Sequence, residues 1–190
     1  EKSDAMALPL FRRACEAGHQ GGCTNLAILL ERGFGTAPDL QAAQGLYEKA
    51  CPEVPEACTN LGLLRLRTPG QEQRAVADLG AACKTGVAVA CYALGSSHVI
   101  GVGTPNDFAA GEAAFARACQ LGLMRACQLG DQRRACVASN DGKACLDVAV
   151  GISGGEAVSG LERRLAEVYA RRGCTLRYRP ACAHRLPASR

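Results

Sequence analysis

The chain has 190 residues, enough for one compact domain or for one elongated array of small units. Only 4% of it is aromatic, tryptophan is absent and alanine and glycine abound, which argues against a core of bulky side chains and for helices that approach closely. Strand-forming residues never alternate over a sustained run, so no sheet is expected, and a net charge of +4 selects no class of partner.

Taken in order, the chain offers the same helical hairpin four times. Residues 7–15, 43–51, 75–83 and 111–119 are amphipathic stretches that each end on a cysteine. Each has a small residue eight positions before that cysteine (Ala7, Ala43, Ala75, Gly111) and an alanine directly before it. Phe11, Tyr47 and Phe115 stand four before it, one helical turn away, so ring and sulfur share a face. A second apolar stretch follows in each unit. Leu26, Leu61 and Leu94 come three residues after the second cysteine, and Ala27, Gly62 and Gly95 four after, where a small residue lets the next helix pack close. First cysteines at 15, 51, 83 and 119 give intervals of 36, 32 and 36, a period of stacked helical hairpins.

Glycine turns separate the units. In residues 33–39 and 101–107 a glycine ends one helix, a second glycine permits a left-handed turn, proline blocks continuation, and Asp39 or Asp107 is placed to cap the next helix. The Gly-x-Gly in each follows a helix rather than a strand, which speaks against a phosphate loop. The expected units are residues 4–35, 39–66, 71–101 and 107–130. Beyond them the pattern degrades. Cys119 and Cys136 are only 17 apart, so half a unit is missing after Arg125, and a truncated unit over 131–152 turns at Asn140, Asp141 and Gly142. A kink is expected near 130–140. A longer helix from Glu156 to Gly173 precedes Cys174, and Cys182 opens a short last helix ending near Pro187. Together they form an atypical capping hairpin over 156–186, as the exposed end of a solenoid requires. This end is basic: eight arginines from Glu156 onward, including Arg171, Arg172, Arg177, Arg179, Arg185 and Arg190, face three glutamates. Such a tail suits contact with phosphates or an acidic membrane surface, but a solvated end cap is the favoured reading, and no nucleic acid partner is expected.

The twelve cysteines fall into six close pairs: Cys15/Cys23, Cys51/Cys58, Cys83/Cys91, Cys119/Cys127, Cys136/Cys145 and Cys174/Cys182. An even set at separations of seven to nine reads as a disulfide framework, one bridge across the turn of each hairpin. Zinc is the rival, but its ligands come two to four residues apart and usually include histidine, whereas His19, His98 and His184 are scattered. Catalytic dithiols favour C-x-x-C, which is absent. Every cysteine is preceded by Ala or Gly, since a bulky neighbour would obstruct the crossing of two helices whose Cα atoms lie about 5.5–6 Å apart. Bridges at this density belong to an oxidising compartment. No stretch reaches the ~18 apolar residues of a spanning helix, and the chain carries no signal peptide at Glu1, so an exported protein is expected to have its signal, or a lipid anchor, upstream.

The text Gly33-x-Gly35, Asp39, Leu46-Tyr47-Glu48-Lys49-Ala50-Cys51 and Ala57-Cys58-Thr59-Asn60-Leu61-Gly62 resembles the Sel1-like repeat family, specifically its cysteine-rich branch, the Helicobacter cysteine-rich proteins. The resemblance covers residues 7–130. It implies an all-α fold, an α/α superhelix (solenoid) of disulfide-stapled hairpins of the TPR/Sel1-like type, running as a single array over 1–190. It also implies an extracytoplasmic adaptor that holds a protein or peptide partner in a Gram-negative envelope, whether periplasmic, outer-membrane-associated or secreted. Members have been linked to penicillin binding and β-lactam hydrolysis, so a β-lactam or peptidoglycan-fragment binder is the alternative, and a secreted effector uses the same scaffold.

Chemistry is hard to find in the chain itself. It has no H-E-x-x-H, G-x-S-x-G, Walker or S-x-x-K motif, and no cofactor or metal is expected. Ser96-Ser97-His98 places a hydroxyl beside a base, but adjacent helical residues point to different faces. What remains is a surface. Two before the first cysteine stand Arg13, Lys49 and Arg117, with Ala81 in the third unit, a register that lines side chains along the first helices. With Arg12 and Glu48 beside them, these are the candidate partner-binding residues.

Overall fold

The computed structural model describes residues 2–153 and 160–183, with side chains from residue 6 onward. Glu156, His184, Arg185, Pro187 and Arg190, which figure in the expected last helices and basic tail, lie outside the described residues. Among the described residues the regular structure is entirely helical: α1 (Lys2–Glu16), α2 (Gln20–Arg32), α3 (Leu40–Ala50), α4 (Pro55–Arg65), α5 (Glu72–Lys84), α6 (Ala88–Ile100), α7 (Phe108–Gln120), α8 (Met124–Gln128), α9 (Gly130–Ala138), α10 (Gly142–Ser153), α11 (Gly160–Thr175) and α12 (Arg179–Ala183). They form two compact units, residues 1–87 and residues 88–190.

Disulfides close the hairpins at one recurring place. The second cysteine is always the fourth residue of its helix, and the first lies at the end of the preceding one. Cys15–Cys23, Cys51–Cys58, Cys119–Cys127, Cys136–Cys145 and Cys174–Cys182 are bridged, with Cα atoms 4.5, 4.5, 4.9, 4.7 and 4.7 Å apart. Cys83 and Cys91 are disulfide-bonded too, and no cysteine is free. The crossings are tighter than the 5.5–6 Å expected, and the small residue before each cysteine explains how. A Cβ on Gly22 would sit 2.7 Å from the Cβ of Ala14, and one on Gly173 2.9 Å from that of Ala181. The two residues that precede a bridged pair face each other across the hairpin, so only hydrogen or methyl fits. On the chain-entropy model, closing loops this short contributes about 2.5 kcal/mol per bridge, for helices too short to persist alone.

In unit 1 each hairpin packs on the next through its second helix. Leu26, Ala27 and Leu30 of α2 meet Ala43, Tyr47 and Ala50 of α3 in one buried cluster. Gly62 of α4 takes α5 so closely that a Cβ there would lie 2.7 Å from Leu79 and 3.1 Å from the Ala75 carbonyl. Between α2 and α3, Gly33 turns left-handed at φ 71° and Asp39 accepts the Ala42 amide at 2.9 Å, capping α3. Unit 2 repeats that cap at Asp107, which accepts the Ala110 amide at 2.9 Å. It repeats the close approach at Gly111, where a Cβ would fall 2.5 Å from Val99.

Unit 2 then departs from the pattern. α8 lasts five residues, and α9 starts two positions later, at Gly130. The turn at residues 140–142 is present: Asn140 adopts φ 51°, and Asp141 caps α10 through the amides of Lys143 and Ala144. α11 packs along α10 and also reaches back to α6, burying Leu165, Ala166 and Tyr169. α12 begins at Arg179, three residues before the expected start at Cys182, so the bridge pins its last full turn rather than its first residue.

Candidate functional site

On the first helices of unit 1, side chains reach from one hairpin to the next. Lys49 of α3 donates to the Cys15 carbonyl at the end of α1, at 3.4 Å. Gln44 of α3 donates to Gln71, which precedes α5, at 3.3 Å, and to Glu48 at 2.9 Å. Arg65, at the end of α4 and only 8% exposed, is held between Glu48 on α3 at 2.5 Å and Asp78 on α5 at 2.6 Å. These links set α1, α3 and α5 along one side of the unit. The hydrogen bond from Gln44, with Arg65 beside it, holds the Glu48 carboxyl below the usual glutamate range. Burial pushes Asp78 up despite its arginine.

The candidate residues differ in their surroundings. Arg12, Arg13 and Lys49 are exposed. Arg13 borders an open depression of about 570 Å³ on α1, together with Leu10, Glu16 and Ala17. Leu10 is 63% exposed there, a large apolar side chain between the Arg13 cation and the Glu16 carboxylate. Glu48 is exposed yet committed to Arg65 and Gln44, so its charge is already balanced within the chain. Arg117 is exposed on α7 in unit 2.

The buried charges are not evident from residue spacing. In unit 2, Glu112 of α7 accepts from Arg133 Nε at 3.0 Å and from the Tyr169 hydroxyl at 3.1 Å. Arg133, 4% exposed, also donates to the Ala126 carbonyl at 2.6 Å and lies 4.7 Å from the Phe115 ring centroid. Burial raises the pKa of Glu112 in spite of Arg133, and burial followed by the Glu112 charge raises that of Tyr169. In unit 1 the Tyr47 hydroxyl bonds Glu31 at 2.9 Å, and burial raises its pKa likewise. One signal was available: Arg65 interrupts the apolar run Leu61–Leu66, where a charge must have partners. Glu112 and Arg133 carry no such mark, because their hydrogen bonds join positions 21 and 57 residues apart.

Ser96 and Ser97 are fully buried, and their hydroxyls donate to the Tyr92 and Ala93 carbonyls one turn back. Neither is placed to act as a nucleophile with His98. Among the described residues no group of three His, Cys, Asp or Glu side chains is arranged to hold a metal ion, and no helix is long and apolar enough to cross a membrane.

Comparison with known proteins agrees with this architecture. A Sel1 repeat matches residues 1–19, 21–51 and 88–123. A protective antigen of uropathogenic Escherichia coli displaying an SLR fold is similar in structure, with a TM-score of 0.56 and 23% identity over 87% of this chain; the chain spans 40% of that protein. A Sel1 repeat protein from Oxalobacter formigenes has a TM-score of 0.56 and 20% identity, over 65% of this chain and 96% of its own. At these identities the likeness shows the fold, the α/α-hairpin repeat of the solenoid class. No curated protein matches the chain in sequence. Sel1-repeat proteins are generally protein-interaction scaffolds, and the fold is typically non-catalytic. Three stretches match the Sel1 repeat, structural neighbours share its fold and every cysteine is bridged, so the chain carries Sel1 repeats over those residues in a cysteine-rich, disulfide-stapled form.

Proposed function

We propose that the protein is an extracytoplasmic scaffold, without catalysis of its own, that holds a protein or peptide partner of a Gram-negative envelope on the first-helix side of unit 1. The observation that carries this reading is the Lys49 hydrogen bond to the Cys15 carbonyl, which links the first helices of two hairpins whose Arg12, Arg13 and Lys49 are all exposed. Leu10 adds an exposed apolar anchor beside Arg13. An apolar contact beside an arginine suits a peptide that offers a carboxylate next to an aliphatic or aromatic side chain. Arg117 lies in the other unit and acts, on this reading, as a separate contact. The bridges require an oxidising compartment.

The experiment is a non-reducing pull-down from native envelope, using the intact protein and a triple charge-reversal variant (Arg12→Glu, Arg13→Glu, Lys49→Glu). The partner recovered with the wild type is expected to be lost with the variant and kept with Arg117→Glu. Equal recovery with the triple variant contradicts the assignment of the surface.

A further inference from the structure

The bridge between α11 and α12 differs from the others in what surrounds it. Among the described residues Cys182 is the one exposed cysteine, and its partner Cys174 is half-buried; both sulfurs of Cys15–Cys23 and of Cys136–Cys145 are in buried residues, and those of Cys119–Cys127 in half-buried ones. Cys174 and Cys182 border a groove of about 370 Å³ whose other polar walls are Arg163, Glu167 and Arg171 of α11. These three stand four residues apart on one helix face, and Arg171 lies one turn before Cys174. Arg171 shares this groove with both cysteines, so its guanidinium favours an anion beside the sulfurs. α12 itself has five residues and buries only Ala181, too little for a helix to persist without the covalent link.

We infer that Cys174–Cys182 is a thiol-exchange site for an anionic thiol, a molecule that carries carboxylates as well as its sulfur. The thiolate of that molecule attacks Sγ of Cys182. A mixed disulfide forms as the Cys174–Cys182 bond breaks, and the electron pair leaves on Sγ of Cys174, where the Arg171 guanidinium stabilises it until solvent supplies a proton. One disulfide replaces another, so no further oxidant or reductant takes part. The product carries the thiol on Cys182 and has α12 held by packing alone, while the remaining hairpins stay closed.

The test uses the fully oxidised chain with glutathione, which is anionic, and with cysteamine, which is cationic, at equal thiolate concentration. Samples are quenched in acid and adducts located by peptide mass mapping. Glutathione is expected on Cys182 before any other cysteine and about tenfold faster than cysteamine at low salt, with the preference shrinking as salt screens it. Arg171→Gln is expected to slow glutathione several-fold and leave cysteamine unchanged, with helicity and the melting temperature retained. A first adduct on another pair, such as Cys119–Cys127, overturns the assignment of the site. Equal rates for the two thiols, or an Arg171→Gln rate equal to wild type, overturn the preference for an anionic thiol.

Discussion

Residues 1–87 and residues 88–190 are built from one hairpin, yet they bury their charges in different ways. In unit 1 Arg65 is held between Glu48, whose side chain is 45% exposed, and Asp78, 17% exposed, so one end of the network remains wet. In unit 2 both partners are inside: the Arg133 side chain is 5% exposed and that of Glu112 18%, with Tyr169 of α11 closing the third side. The second network exists because the repeat fails there. α8 stops after five residues, leaving a carbonyl at Ala126 that Arg133 satisfies, and α11 returns to α6 and α7 over that region. Where the repeat is regular, the charged network keeps one carboxylate in water; where it is interrupted, a cluster closed on all sides accompanies the alternative packing.

Removing every bridge has the largest expected effect. Reduction and alkylation forfeit about 2.5 kcal/mol for each short loop, a sum comparable with the whole net stability of about 5–15 kcal/mol of a typical domain. A fall of the melting temperature by tens of degrees is expected, and amide exchange should rise first in the short helices α8, α9 and α12. An unchanged melt with all thiols blocked would remove the bridges from the account. Next in size is Arg133→Ala, which leaves Glu112 buried without its cation and is expected to destabilise by about 3–5 kcal/mol at neutral pH in urea unfolding. The pair Arg133→Met with Glu112→Leu should recover most of that loss. Arg65→Ala is expected to fall below Arg133→Ala, because Glu48 already meets water; the reverse order would dissolve the distinction between the units.

Titration separates them further. The pKa of Glu112 is raised from 4.5, so its contribution is complete below that value and is lost as pH rises through the higher folded value. That of Glu48 is lowered from 4.5, so its contribution is present above 4.5 and lost as pH falls through the lower folded value. Thermal melts should therefore show Glu112→Gln gaining on wild type as pH rises, and Glu48→Gln losing ground over the same change. Slopes of the same sign would show that the two carboxylates share one environment. The smallest effects belong to the helix caps. Asp39→Ala and Asp107→Ala remove equivalent hydrogen bonds in the two units, and each is expected to cost about 1 kcal/mol of unfolding free energy. Unequal costs would mean that the repeated turn is not energetically repeated.

Most of the regular architecture was readable from residue spacing. The cysteine pairs located the hairpin crossings, and the Ala or Gly before each one reported a contact that the structure places at Gly22 against Ala14 and Gly173 against Ala181. Gly33, Gly35 and Asp39 spelled out a turn that forms with the left-handed φ and the cap its residues suggested. These features are local, each decided within about ten residues of chain. The return of α11 to α6 was not readable, because it depends on what α8 leaves uncovered some forty residues earlier. Candidate surface residues were legible as exposed first-helix positions, while the commitment of Glu48 to Arg65 depended on α4 lying beside α3, which spacing alone does not decide.

Everything in the fold depends on an oxidised frame whose sulfurs join neighbours within a hairpin. The decisive measurement traps thiols in intact native cells with a rapid alkylating agent, followed by non-reducing peptide mapping. Twelve unalkylated cysteines in six local linkages separated by seven to nine residues are expected. Alkylated cysteines throughout, or linkages between distant hairpins, would contradict both the compartment and the fold's covalent frame.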